Sequence, residues 1–299
     1  MEKQLFTNAQ ILAWLQYFAE HTPVDLDRVR ILDITRKNKN LIPTVESNAA
    51  VLVFTEAGHQ DIFYRMWDVG LGECTVWYNE GSDPSGPIFS SPLKEMIDRG
   101  INASAGMLIL NPNARSTYKI GMSNSSFSRG SIDYVGSEIR AVILNKLHIA
   151  QDDAVCVISG ESIAVEAAIL ASEGDVIAVE YNQNDRKTME ENIQKFGLNN
   201  VHIIDHVDDK TLAGLPVPAL AFLVASASME QELQCLLKLN PRMRFVIYTL
   251  DFRTAANLPA LFTQMGIGGC EVVQIAVSKL TAKNTFEAQP APWLISGQA

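Results

Sequence analysis

An α/β fold in two parts is what this sequence predicts, and three observations carry it. Residues 154–180, AVCVISGESIAVEAAILASEGDVIAVE, read as strand, turn, helix and strand, the frame of a nucleotide-cofactor βαβ unit. From Ser137 onward strand and helix patterns alternate, which demands a largely parallel sheet covered by helices. Between the halves lies NPNARSTYKIGMSNSSFSRGSIDYVG at 111–136, rich in Asn, Ser and Gly, which reads as an exposed linker.

Each element has its own warrant. Ile11, Leu12, Leu15 and Phe18 recur at helical spacing over Asn8–Glu20, with Asn8 as the expected N-cap. Strands are expected at Val29–Ile34, Ala50–Phe54, Thr75–Tyr78 and Gly106–Leu110, with helices at about Gln60–Asp68 and Ser91–Arg99. In the second half, SEIRAVILNKLHI begins a helix with Ser137 as N-cap and Ile139, Val142, Ile143 and Leu147 as its apolar stripe. Seven strands follow: Ala154–Ile158, Val176–Val179, Val201–Ile204, Ala219–Val224, Phe245–Tyr248, Val272–Ser278 and Trp293–Ser296. The last two have no helix between them, so the sheet should close with an antiparallel strand. The expected division is 1–28 (N-terminal helix), 29–111, the 112–136 linker and 137–299.

Composition narrows the function. A net charge of −10 argues against nucleic acid, because phosphate binding needs a basic face. Apolar content of 47% with 19% charged residues suits a globular chain with a sizeable core. The long uncharged run Leu215–Met229 is broken by two prolines and does not read as a membrane span. The N-terminus lacks an apolar leader with a small-residue cleavage site, so a cytoplasmic protein is expected. Cys74, Cys156, Cys235 and Cys270 are widely spaced and read as four reduced, buried thiols with no metal-ligand spacing. His202, Asp205 and His206 form the one local cluster with metal-ligand chemistry, and it reads instead as a solvent-facing strand end. Phe63, Tyr64, Trp67, Trp77 and Tyr78 read as core packing from their spacing.

Candidate site residues gather around the βαβ frame. Glu180, after the second strand, is placed to accept ribose hydroxyls. The first turn, Ser159-Gly160-Glu161-Ser162, holds one glycine where a cofactor loop ordinarily uses several to admit the ligand. Glu166 lies inside an apolar helix and must be paired if buried. Glu138 and Arg140 open the preceding helix, where they either hold substrate acids or cap and solvate it.

Four βα units closing with a terminal hairpin is the layout of a class I methyltransferase (Rossmann-like) seven-stranded sheet, beside a smaller N-terminal α/β domain. SEIRAVILNKLHI (137–149), IAVEAAILA (163–171), GDVIAVEYN (174–182) and ENIQKFGLNNVHII (191–204) resemble one family more closely. LAGLPVPALAFL (212–223) and VVQIAVSKL (272–280) extend the likeness. These segments are similar to the decarboxylating methyltransferase half of the precorrin-6Y methyltransferases of corrin biosynthesis, over about Gly121–Gly297. Residues 51–81 and 91–100 resemble the second lobe of that family's tetrapyrrole-methylase half. No counterpart of its first lobe is found, since only about 28 residues precede Val29.

The resemblance implies S-adenosylmethionine as cofactor, held by Ser159, Gly160, Ser162, Glu180 and Asp208. It implies a tetrapyrrole corrin precursor as partner and a homo-oligomeric state, with no membrane or nucleic-acid partner and no metal. Catalysis would rest on placing the methyl donor beside a ring carbon, and no catalytic residue is assigned. The departures are Val157 for an acidic residue, Glu161 for a glycine, Gly136 for a lysine, and VASAS (224–228) and HVDD (206–209) for two further ligand-facing loops. Glu161 is expected to oppose the donor's carboxylate and occupy its approach path, so affinity should be weak or absent. A non-catalytic tetrapyrrole-binding or scaffold protein is the alternative.

Overall fold

The computed structural model describes residues 6–35, 40–101, 104–114, 120–130 and 135–299. Two compact units result: Met1–Lys119 with Gln194–Asn199, and Ile120–Ile193 with Asn200–Ala299.

The first unit holds α1 (Asn8–His21), β1 (Val29–Asp33), α2 (Leu41–Ser47), β2 (Ala50–Thr55), α3 (Ile62–Asp68), β3 (Thr75–Tyr78), β4 (Phe89–Pro92) and β5 (Ala105–Leu110). Its strands run in the order β1-β2-β5-β3-β4, with β1 parallel to β2 and the other pairings antiparallel. Trp14, Tyr17 and Phe18 of α1 pack with Leu52, Phe54 and Leu108, and Ile62, Phe63 and Met66 of α3 pack with Val51, Val53 and Val76. Alternate residues of β2 thus face opposite layers, as the two-residue period of a strand requires.

Several expectations are corrected here. Thr7, not Asn8, is the N-cap of α1, in a reciprocal capping box with Gln10. The expected helix at Ser91–Arg99 is instead the end of β4 and a 3-10 turn at Leu93–Glu95; Pro92 lies where the helix would begin. α2 was not foreseen, because LIPTVES is short and carries a proline. Phe63 is core, but Tyr64 and Trp67 are about half exposed and lie against each other with ring centroids 5.9 Å apart.

The second unit holds α4 (Ser137–Leu147), β6 (Ala154–Ile158), α5 (Glu161–Leu170), β7 (Asp175–Val179), α6 (Gln183–Lys195), β8 (Val201–Ile204) and β9 (Leu220–Val224). It continues through α7 (Met229–Leu239), β10 (Arg244–Thr249), α8 (Phe252–Gln264), β11 (Gly268–Gln274), β12 (Ser278–Leu280), β13 (Phe286–Ala288) and β14 (Trp293–Gln298). Seven of these strands form one sheet, ordered β11-β14-β10-β9-β6-β7-β8. β8, β7, β6, β9 and β10 are parallel, while β14 is antiparallel to both β10 and β11. The central strands are apolar on both faces because helices cover both. Cys156, Ile158, Ile177 and Val179 cluster with Leu233 and Leu236 of α7 and with Leu258 and Phe262 of α8.

Local differences have local causes. Ser137 is the first helical residue of α4 and Gly136 its N-cap, with no side-chain cap. The strand expected at Val272–Ser278 divides: β11 ends at Gln274, and Ser278 opens a small β12–β13 hairpin. Within residues 120–130, part of the span read as a linker, Phe127 is buried and Asn124–Ser126 form a 3-10 turn. Residues 115–119 and 131–134 of that span lie outside the described residues. Cys74, Cys156 and Cys235 are buried, whereas Cys270 on edge strand β11 is exposed.

Candidate functional site

The chain leaves β6 and β9 toward opposite sides of the sheet, so a crevice opens at their carboxyl ends, where such sheets take ligands. A cavity of about 540 Å³ lies there, walled by Asn124, Gly136, Ile139, Ser159, Gly160, Glu161, Ser162, Glu180, Asp185, Val224, Tyr248, Leu250 and Gln289, among others. That volume lies within the usual range of small-molecule sites.

The β6–α5 turn is built by sequence. Ser159 adopts a left-handed backbone with φ 56°, a conformation costly for a residue with a side chain. Gly160 is needed by packing: a methyl group there would stand 2.8 Å from Phe222 Cε1 and 3.0 Å from Val157 Cγ1. It is the N-cap of α5 and leaves that helix end without a side-chain cap. Glu161 begins the helix, and its Oε1 accepts from Asn192 Nδ2 at 2.6 Å. The same Asn192 exchanges bonds with the Ser128 backbone, at 2.7 and 3.1 Å.

Glu180 is nine-tenths buried at the end of β7, and its Oε1 accepts from the Asn182 amide at 3.0 Å. Burial pushes its carboxyl above the ordinary value, and the Asp185 charge adds to this against the Asn182 amide. Ser159, Gly160, Ser162 and Glu180 are therefore brought together. Asp208 is not among the cavity's walls. It closes a turn after β8, accepting from the Lys210 and Thr211 amides at 2.8 and 2.7 Å and meeting His206 Nε2 at 3.0 Å. The amides, Thr211's first, hold its carboxyl down to about 2. His202 pairs instead with Asp175 at 2.7 Å, and no group of metal-binding side chains forms among the described residues.

Of the two roles open to Arg140 and Glu138, holding substrate acids or capping and solvating α4, Arg140 takes neither. It is fully buried and bonds Glu166 through Nε at 2.5 Å. Nη1 donates to Asn124 Oδ1, Val135 O and Ser162 Oγ at 3.0, 2.8 and 3.2 Å, and Nη2 donates to Met122 O. Glu166 also accepts from the Gly121 and Met122 amides at 2.8 and 2.9 Å, so the pairing that its burial demands is met. Glu138 pairs with Lys279 at 2.9 Å on the surface. Asn124, Asp185, Tyr248, Leu250 and Gln289 escaped the sequence reading. Tyr248 and Leu250 lie at and just beyond the carboxyl end of β10, a position that strand order alone marks; Gln289 carries no such signal.

A doubly wound sheet with this strand order and an acidic residue closing its second strand is the class I methyltransferase fold. Residues 133–291, more than half of the chain, match the family model described as the precorrin methyltransferase domain, and the chain belongs to that family. Its fold is similar to that of precorrin-6Y C5,15-methyltransferase from Geobacter metallireducens GS-15, at 23% identity, covering 60% of this chain and 96% of that one, with TM-score 0.55. It is also similar to precorrin 8w decarboxylase of Methanobacterium thermoautotrophicum, at 18% identity over 60% and 100% with TM-score 0.52. The C-terminal domain of the Rhodobacter capsulatus precorrin-6Y C5,15-methyltransferase matches at 23% identity over 61% and 99%, with TM-score 0.51. No curated protein matches the chain. No helix among the described residues is long and apolar enough to cross a membrane.

Proposed function

We propose that the cavity at the ends of β6, β7 and β9 binds S-adenosylmethionine and that the chain methylates a small molecule there. The observation that carries this is Glu180, a nine-tenths buried carboxylate that opens onto the cavity beside the β6–α5 turn. A carboxylate so placed accepts the paired hydroxyls of a ribose. The N-terminus of α5, which has no side-chain cap, and Ser162 also line the cavity and suit the amino-acid part of the donor. When bound, the cofactor supplies an electrophilic methyl group. The protein's part is to hold donor and acceptor in line and keep water out, with Tyr248, Leu250 and Ile139 as apolar walls.

Glu161 and Ser159 lower the affinity, since a second carboxylate and a side chain stand where glycines would admit the ligand. Those two residues also favour the second reading, a non-catalytic tetrapyrrole-binding or scaffold protein. The expected homo-oligomer finds support in edge strand β11, almost wholly exposed, and in exposed Leu280 and Phe286 on the β12–β13 hairpin. The N-terminal unit fits a partial tetrapyrrole-methylase-like lobe, by the likeness of residues 51–81 and 91–100.

Calorimetry with S-adenosylhomocysteine tests the first reading. Weak but saturable binding is expected, lost in Glu180→Ala and tightened in Glu161→Gln. Absence of heat up to roughly millimolar ligand would favour the non-catalytic reading.

A further inference from the structure

Two polar groups on the cavity wall share one buried partner. Asn124 and Ser162 both line the cavity. Both meet Nη1 of Arg140, through Asn124 Oδ1 at 3.0 Å and Ser162 Oγ at 3.2 Å. Arg140 itself is wholly buried and is not among the cavity's walls. Its guanidinium is fixed by its remaining bonds: Nε donates to Glu166, Nη2 to Met122 O and Nη1 also to Val135 O. The Phe127 ring lies 4.9 Å from the guanidinium carbon. The chemistry of that partner sets the polarity of both groups, because a guanidinium carries five N–H donors and no acceptor. The oxygen of the Asn124 amide must therefore face it, which turns the Nδ2 amino group away, and Nδ2 bonds no other described residue. Ser162 Oγ spends a lone pair on Arg140, so its proton is what remains, and it donates to no described residue. Ser162 is 3% exposed in the first turn of α5, and the Glu161 carboxylate before it is engaged by Asn192 Nδ2 at 2.6 Å.

We infer that Arg140 is a positioning residue: by drawing both oxygens toward itself it presents Asn124 Nδ2 and the Ser162 hydroxyl to the cavity as paired donors for a carboxylate of the bound molecule. This rests on the reading of the cavity as the site of methyl donor and acceptor, and either molecule can bring the carboxylate. Glu180 offers an acceptor to hydroxyls, whereas these two groups offer only donors, so the cavity carries both polarities. Hydrogen bonds to an ionised group are the strong ones, and donors already turned toward it cost no reorientation on binding. A lysine at position 140 would keep a charge beside Glu166 but lacks the planar fork that holds both oxygens at once.

Calorimetry on the full chain with three ligands tests this: S-adenosylhomocysteine, 5′-methylthioadenosine, which lacks the amino-acid part, and benzoate with and without S-adenosylhomocysteine. The variants are Asn124→Ala, Asn124→Asp, Ser162→Ala and Arg140→Lys. If the carboxylate is the donor's, each should weaken S-adenosylhomocysteine about tenfold or more and leave 5′-methylthioadenosine unchanged. If it is the acceptor's, both nucleosides should be unaffected, and benzoate bound beside S-adenosylhomocysteine should weaken by the same factor. Asn124→Asp keeps an oxygen for Arg140 and loses the N–H groups, so it would rescue a purely structural Asn124; no rescue is expected. Arg140→Lys should add nothing to Asn124→Ala/Ser162→Ala, and if the lysine variant does not fold, the asparagine and serine variants still decide. Unchanged S-adenosylhomocysteine and benzoate affinities in Asn124→Asp and Ser162→Ala overturn the inference and leave the donor assignment standing. Equal weakening of both nucleosides also overturns it, by making the role structural. Benzoate binding that depends on both residues, with neither nucleoside bound, sustains it and sinks the donor assignment. Failure of all three ligands overturns both.

Discussion

Arg140 Nε and Glu166 Oε1 lie 2.5 Å apart, with exposures of 0% and 3%, and together they clasp the backbone at Gly121, Met122 and Val135. The pair joins α4 and α5 to segments that wall the cavity. Removing one partner leaves the other charged and buried. Arg140→Met should therefore lower unfolding free energy by about 3–5 kcal/mol in urea titrations. A loss below about 1 kcal/mol would mean that Glu166 finds another partner.

Glu46 predicts a pH dependence. Its Oε2 is buried without a partner, and burial raises its carboxyl from 4.5 to about 7. A carboxyl that binds its proton more tightly when folded favours the fold at low pH. That contribution is complete below pH 4.5 and is lost as pH rises through about 7. The change amounts to at most ~3 kcal/mol across the window. Stability measured from pH 4.5 to 8 should carry this slope, and Glu46→Gln should remove it.

The β6–α5 turn should respond with opposite signs at adjacent positions. Ser159→Gly relieves a left-handed backbone and should stabilise by about 0.5–1 kcal/mol. Gly160→Ala drives a methyl group into Phe222 and Val157 and should destabilise by about 1–3 kcal/mol. Melting curves of both variants decide it; equal signs would contradict the turn geometry.

Thiol labelling should separate the cysteines. Cys270 on β11 is exposed, while Cys74, Cys156 and Cys235 are buried. Burial also pushes the Cys74 and Cys156 thiols up, to about 11 and 12, which suppresses their reactive thiolates. A disulfide reagent should modify one thiol rapidly in the native protein and the others only on unfolding. Cys270→Ser should abolish the fast phase.

Sequence alone determined what depends on local periodicity and neighbours in the chain. The βαβ unit from Ala154 to Val179, the antiparallel closure by Trp293–Gln298 and the place of Glu180 all follow from patterns a few residues long, because buried parallel strands are apolar throughout and helices repeat every 3.6 residues. Tertiary structure decided what depends on distant partners. Arg140, open to a role as a substrate-facing cation, became the hub of a buried network because Glu166 and the backbone of Met122 and Val135 converge on it from elsewhere in the chain. Asp208, four residues beyond β8, was drawn into its own turn by the Lys210 and Thr211 amides and away from the cavity. Gln289, Tyr248 and Asn124 meet around one cavity through three separate segments. A charged or polar side chain takes its role from whichever partner satisfies it when water is removed, and only the folded chain brings those partners together.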